Sequence, residues 1–143
     1  MGLRPQARPL TPKEDSFMER PVDHQAIVQA ALDYIEGWHD QDAQRMERSL
    51  HPDLAKRIVM RGASPHGGDQ LSQISALGLI QKTRRGIGLK PREDRRTSVT
   101  VLDQSRHSAS VKIETTDTVE YLHLSRWNAV WVVVNVLWEL KES

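Results

Sequence analysis

Asn135 and His123 are polar side chains in places where the sequence is otherwise apolar. Both lie in "EYLHLSRWNAVWVVVNVLWELKES", which reads as two strands around a turn. Asn135 interrupts the apolar run from Trp131 to Trp138. A buried amide needs hydrogen-bond partners. A ligand carbonyl or a bound water would supply them, and so would a neighbouring side chain or a helix end. His123 stands between Leu122 and Leu124, where an imidazole could move a proton or bond across an interface. Tyr34 and Trp38 are one helical turn apart; they could stack on a flat ligand or simply fill a core. His51 and Asp53 flank Pro52 in "LHPDL". A histidine–carboxylate pair suits acid–base work, but this spacing suits a turn better. His66 and Asp69, even with His51, follow no recognised ligand spacing, so no metal is expected.

The remaining signals mostly exclude. The chain has 143 residues, 38% hydrophobic and 27% charged, which fits one ordinary folded domain. A formal net charge of +1 gives no general attraction for nucleic acid or membranes, and neither is expected as a partner. There is no cysteine, which removes disulfides, thiolate catalysis and cysteine-held metals. "QKTRRGIGLKPREDRR" is basic but lacks interleaved aromatics for base stacking, and reads as a solvated connection. "GIG" alone is no dinucleotide fingerprint, and no phosphate loop or nucleophile elbow is present; no cofactor is implied. The N-terminal residues lack the apolar core of an export signal, no stretch would span a bilayer, and the expected location is cytoplasmic.

The elements that must position these groups follow from periodicity. Residues 1–21 hold Pro5, Pro9, Pro12 and Pro21, and predict an extended arm before a single domain over residues 22–143. "VDHQAIVQAALDYIEGW", residues 22–38, is a helix with Ile27, Ala31, Tyr34, Ile35 and Trp38 on one face. Met46 and Leu50 mark a short second helix, capped by Asp40 or Asp42. "AKRIVM" is a short strand, and "RGASPHGGD" a loop. "DQLSQISALGLIQKTRR" predicts a third helix from an Asp69 cap, with Leu71, Ile74, Leu77 and Ile80 on its apolar face. "TSVTVLDQ" and "SASVKIETT" alternate as strands with one wet face. Helices followed by an antiparallel meander give an α+β class.

"ALDYIEGWHDQDAQRMERSLHPDLAKR" followed by "VEYLHLSRWNAVWVVVNVLWEL" resembles the Putative lumazine-binding family, within the nuclear transport factor two-like superfamily. The resemblance runs from about residue 22 to residue 140. It implies a cystatin-like cone, in which a strongly curved antiparallel sheet wraps the helices and leaves a cavity at its open end. The superfamily includes ketosteroid isomerase, scytalone dehydratase, polyketide cyclases and non-catalytic assembly domains, so the fold leaves the function open.

A turn at Asn128–Ala129 pairs Trp127 with Val130, and further out His123 with Val134, Leu122 with Asn135 and Tyr121 with Val136. By analogy with relatives, Trp131, Val133 and Asn135 then face the cavity. A ligand pocket formed by Tyr34, Trp38 and Asn135 is expected, with Arg57 as an anionic contact near its mouth. The opposite face would carry Tyr121, His123, Val132, Val134, Val136 and Trp138, too apolar to stay exposed, and predicts a homodimer through a two-fold axis. The expected role is to hold a small, partly apolar molecule. The alternatives are a cofactor-independent lyase or isomerase and a non-catalytic interaction module.

Overall fold

The computed structural model describes residues 12–142, with side chains from Asp23 onward. Helix α1 (Pro12–Asp40) and helix α2 (Ala43–Ser49) lead into β1 (Leu50–Met60), β2 (Gln70–Ser75) and α3 (Ala76–Arg84). A short 3-10 turn at Arg92–Asp94 precedes β3 (Ser98–Gln104), β4 (Ser108–Glu114), β5 (Thr118–Trp127) and β6 (Val130–Leu140).

Two helical expectations are corrected. The first helix begins at Pro12, so helix replaces the expected arm over residues 12–21; residues 1–11 lie outside the described residues. Proline suits a first helical turn, where its missing N–H would have no partner, and Pro21 removes one bond from a long helix. The third helix is shorter than expected. Gln70–Ser75 is strand β2, and Ser75 caps α3 by accepting from the Gly78 N–H at 3.1 Å. Leu71 is exposed on β2, while Asp69 closes the preceding loop by accepting from Arg61 and the Gly62 N–H. Alternation through the short β2 was overlaid by the helical spacing of the apolar residues that continue into α3.

The sheet is also corrected. It has six strands in the order β2-β1-β6-β5-β4-β3. The expected antiparallel meander is present from β3 to β6, but β1 joins β6 in parallel, so the sheet is mixed. Its order ends at two free edges, β2 and β3, and it does not curl into a closed cone. The class remains α+β.

The final hairpin turns at Asn128 and Ala129 as expected, with both residues in the left-handed region at φ 51° and 66°. Pairing matches expectation from Trp127–Val130 to Leu124–Val133. A bulge then intervenes, and His123 pairs with Asn135, Leu122 with Val136 and Tyr121 with Leu137. A bulge places two residues opposite one, so beyond it the strand is read one position later.

The covered face of the sheet can be followed across adjacent strands. One row runs Ile74, Lys56, Val136, Leu122, Val111, Val101; the next runs Ser72, Ile58, Trp138, Glu120, Ile113, Val99. Helix α1 packs on β3 and β6, and α3 on β1. Ile27, Ala31, Tyr34 and Ile35 of α1 join Met46, Leu79, Val111, Ile113, Leu122 and Val136 in one core. Arg45 fastens α2 to α1 through Asp33 at 2.8 Å and Glu36 at 2.7 Å. No helix among the described residues is long and apolar enough to cross a membrane.

Candidate functional site

Two charged side chains occupy core rows. Lys56 on β1 shares its strand face with Leu54 and Ile58, and Glu120 on β5 shares its face with Leu122 and Leu124. They are only 8% and 3% exposed, respectively. Burying a charge is unfavourable unless it is paired and hydrogen-bonded, and here Tyr34 joins the pair. The Lys56 ammonium donates to the Tyr34 hydroxyl at 2.7 Å and lies 3.4 Å from Glu120 Oε1. The Tyr34 hydroxyl donates to the same Glu120 oxygen. Thr118 Oγ1 donates to the other oxygen, Oε2, at 3.0 Å.

Aromatic faces box the ammonium. Lys56 Nζ lies 4.9 Å from the ring centre of Trp138, 5.2 Å from Tyr34 and 5.6 Å from Trp38. Ring quadrupoles favour a cation at these distances. Burial raises the Tyr34 phenol well above its ordinary value; the Glu120 charge and the hydrogen bond to Glu120 push it further the same way. Tyr34 is therefore a hydrogen-bond donor at neutral pH, and not a base.

A cavity of about 550 Å³ opens beside this group. Trp38, Lys56, Trp138 and Glu120 form part of its wall, with Ile58 and Ile74 from the sheet and Leu79, Lys82 and Arg85 from α3 and its end. A second cavity of about 250 Å³ shares Trp38, Ile87, Thr118 and Glu120 with the first and is lined further by His39, Gly88, Lys90 and Asp117. Gly88 lies directly on Trp38: a Cβ there would come 2.1 Å from the indole. The backbone around Gly88 thus fixes the indole between the two cavities. The segment is tied to the end of α1 by bonds from the Lys90 N–H and Arg95 to the His39 carbonyl.

The four expected pocket residues are not brought together. Trp38 lines both cavities, and Tyr34 lies behind Lys56, fully buried. Asn135 and Arg57 are on the other side of the sheet. The bulge turns Asn135 away from the helices, where its side-chain oxygen accepts from Arg57 at 3.1 Å and its amide nitrogen lies 3.3 Å from His123 Nδ1. The expected exposed patch is corrected as well, at Val136 and Trp138 by the same shift and at Val132, which lies before the bulge, by its burial. Val132 and Val136 are buried within the protomer, Val134 is half-buried at the bulge, and Trp138 is a cavity wall. Tyr121 and His123 are exposed on the outer face, joined there by Leu137.

The other candidates have local roles. His51 Nδ1 accepts the Asp53 N–H at 2.9 Å, and its ring meets Trp127 edge-on at 4.6 Å. His66 bonds through its backbone to Ser64 in the exposed loop. Lys56, Glu120 and the cavity role of Trp138 were missed. The available signal was parity, since Lys56 and Glu120 each occupy the apolar face of a strand.

The Putative lumazine-binding family pattern matches residues 22–139. No curated protein matches the chain. Among solved structures, an NTF2-like protein of unknown function from Shewanella baltica OS155 is similar at 18% identity and a TM-score of 0.68, over 86% of this chain and 97% of that one. A hexachlorocyclohexane dehydrochlorinase, LinA-type3, from Novosphingobium barchaimii LL02 is similar at 14% identity and a TM-score of 0.62, over 89% of this chain and 92% of that one. A ketosteroid isomerase-like protein from Erwinia carotovora atroseptica SCRI1043 is similar at 12% identity and a TM-score of 0.58, over 83% and 96% of the two chains. At such identities these likenesses concern the fold alone. The match over residues 22–139, together with the helices, the mixed sheet and these structural likenesses, makes the chain a member of the Putative lumazine-binding family with an NTF2-like fold.

Proposed function

We propose that the chain binds a small, partly apolar molecule in the cavity beside Lys56. The observation that carries this reading is a buried ammonium held against Tyr34 and Glu120 at the wall of a cavity of about 550 Å³, with Trp38 and Trp138 beside it. That volume suits a small organic ligand, and a few polar groups in an apolar wall are the usual makings of such a site. A flat ring would pack against the indoles, and a ligand oxygen would accept from Lys56. The test is to purify the protein natively, denature it and search the supernatant by mass spectrometry. A stoichiometric small molecule, absent from a Trp138→Ala preparation, is the expected result; no ligand, together with no response of tryptophan fluorescence to flat aromatic probes, would overturn the reading.

A second reading is a cofactor-independent lyase or isomerase. It is favoured by the chain of donors from Lys56 through Tyr34 to Glu120, which could pass a proton to or from a bound molecule. The dehydrochlorinase and the ketosteroid isomerase-like protein among the similar structures agree with it. Conversion of the recovered ligand on incubation with fresh protein, lost in Lys56→Met, would favour this reading over binding alone.

The unit that binds is proposed to be a homodimer through the outer sheet face. Tyr121 and Leu137 are 43% and 49% exposed and pair directly, so their side chains share that face. Arg57, the strand neighbour of Leu137, has no ion pair among the described residues, nor has Glu139, one position along the same face. A two-fold apposition would bring the Arg57 of one copy to the Glu139 of the other. Sedimentation should give a dimer that Tyr121→Asp dissociates, and a charge swap of Arg57→Glu with Glu139→Arg should restore what either change alone weakens. A wild-type monomer at micromolar concentration would end the proposal.

A further inference from the structure

The cavity has an uneven distribution of charge. Three cationic side chains line it, Lys56, Lys82 and Arg85, against a single carboxylate, Glu120. Glu120 is occupied by Tyr34, Thr118 and Lys56, which accounts for one of the three cations. Lys82 and Arg85 have no side-chain partner among the described residues. Both are exposed, in contrast to the buried Lys56.

Their placement follows from helical spacing. Gly78 in the first turn of α3, Lys82 in its last turn and Arg85 at its C-cap follow helical spacing along one side, and all three line the cavity. At Gly78 an added Cβ would fall 2.9 Å from Ile74, so the helix approaches the cavity wall closely there. Beyond this bare position the same face carries its charge outward to the rim. Arg84, on the intervening position, does not line the cavity. Lysine and arginine are also at home near a helix C-terminus, where the backbone carbonyls point at them, so their presence in the last turn alone indicates no ligand. What indicates one is that the two uncompensated cations share a single cavity with an apolar wall and with no free carboxylate.

We propose that the ligand is an organic anion: a flat, largely apolar body against Trp38 and Trp138, with a carboxylate or another anionic group at the rim on Lys82 and Arg85. This rests on the binding role proposed above and adds the ligand's charge and its orientation. An arginine offers a planar fork to a carboxylate, and lysine adds a second positive charge without fixed geometry. The interior ammonium of Lys56 is then left to meet a neutral acceptor, such as a carbonyl, at the opposite end of the ligand.

The test compares 2-naphthoate with 2-naphthamide, which have the same ring system and differ in charge. Binding is read by calorimetry on the full chain, at low and high salt. The wild-type protein should bind naphthoate about tenfold more tightly than naphthamide at low salt, with a preference that shrinks as salt screens the exposed rim. The double variant Lys82→Gln, Arg85→Gln should lose the preference and leave naphthamide affinity unchanged, while Arg84→Gln should keep it. Equal binding of the two probes by the wild type would overturn the anion inference and leave the cavity's binding role standing. Preference that survives the double variant but disappears in Lys56→Met would also overturn it, because the anion would then be held inside. Binding of neither probe would overturn both readings.

Discussion

The Lys56 ammonium lies 2.7 Å from the Tyr34 hydroxyl and 3.4 Å from Glu120, so a phenol is wedged into a buried ion pair. Each group depends on the other two. Lys56→Met leaves a buried carboxylate short of a cation, and Glu120→Leu leaves a buried ammonium without its counter-charge. Each single change should cost about 3–5 kcal/mol, and the double variant should cost less than either alone. Urea unfolding of the four proteins gives the cycle; additive losses would show that the two charges do not depend on each other.

Gly88 is required by its neighbour. An alanine there would press its methyl group on the Trp38 indole, at 2.1 Å before relaxation. Gly88→Ala should destabilise by about 1–3 kcal/mol, the usual range for overpacking, and should alter the tryptophan emission by moving Trp38. An unchanged spectrum with unchanged stability would show that the segment moves away from the ring at no cost.

Ala129 has a left-handed backbone at φ 66°, which a Cβ disfavours. Ala129→Gly should stabilise by about 0.5–1 kcal/mol, the relief from strain being partly offset by the greater freedom of glycine when unfolded. Thermal unfolding should show a higher midpoint. A lower one would mean that the chain bears no strain at the turn.

His39 should make stability depend on pH near neutrality. Burial, and then the charges of Arg95 and Lys90, hold its imidazole below the ordinary value of 6.5; Glu120 and Asp40 act in the opposite sense without prevailing. Between the folded and ordinary values the unfolded chain binds more protons, so stability is full above about pH 6.5 and is lost as pH falls below it. His39→Gln should flatten this part of the profile. An identical slope in that variant would exclude His39 as its source.

Asp33 governs a more acidic range. Burial raises its carboxyl, but hydrogen bonds from Arg45, Gln29 and Arg48 outweigh that and leave it below the ordinary 3.8. Its contribution is present above that ordinary value and is lost as pH falls through the folded one. Arg45→Gln should therefore move the acid-unfolding midpoint to higher pH; no movement would mean that Arg45 does not hold the carboxylate in its ionised form.

The helices were legible where periodicity was long and unopposed. Ile27, Ala31, Tyr34 and Ile35 recur at helical spacing and are buried together. The same reasoning failed at Leu71 and Ile74, because a short strand leads straight into a helix and the two patterns overlap. The mixed sheet was not legible, since the pairing of β1 with β6 joins segments that are far apart and carries no local mark. Asn135 was misplaced for one reason, a bulge whose extra residue is a valine among valines. Lys56 and Glu120 were legible in principle. A charge on the apolar parity of a strand signals a buried pair, but the sequence does not name its partner.

The bulge also explains why β6 is apolar on both parities without needing a second cover along its whole length. The strand is read in two frames. Its first half buries Trp131 and Val133, and its second half buries Val136 and presents Trp138 to the cavity. Loss of the single residue Val134 would join the two frames into one. Val133 would still pair with Leu124 and Asn135 with His123, so Leu137 stays outward and Trp138 inward, and the deletion would straighten the strand without taking a residue from the cavity wall. In a lineage of related chains, the bulge would therefore absorb the loss of one valine here, and the cavity wall would keep its tryptophan.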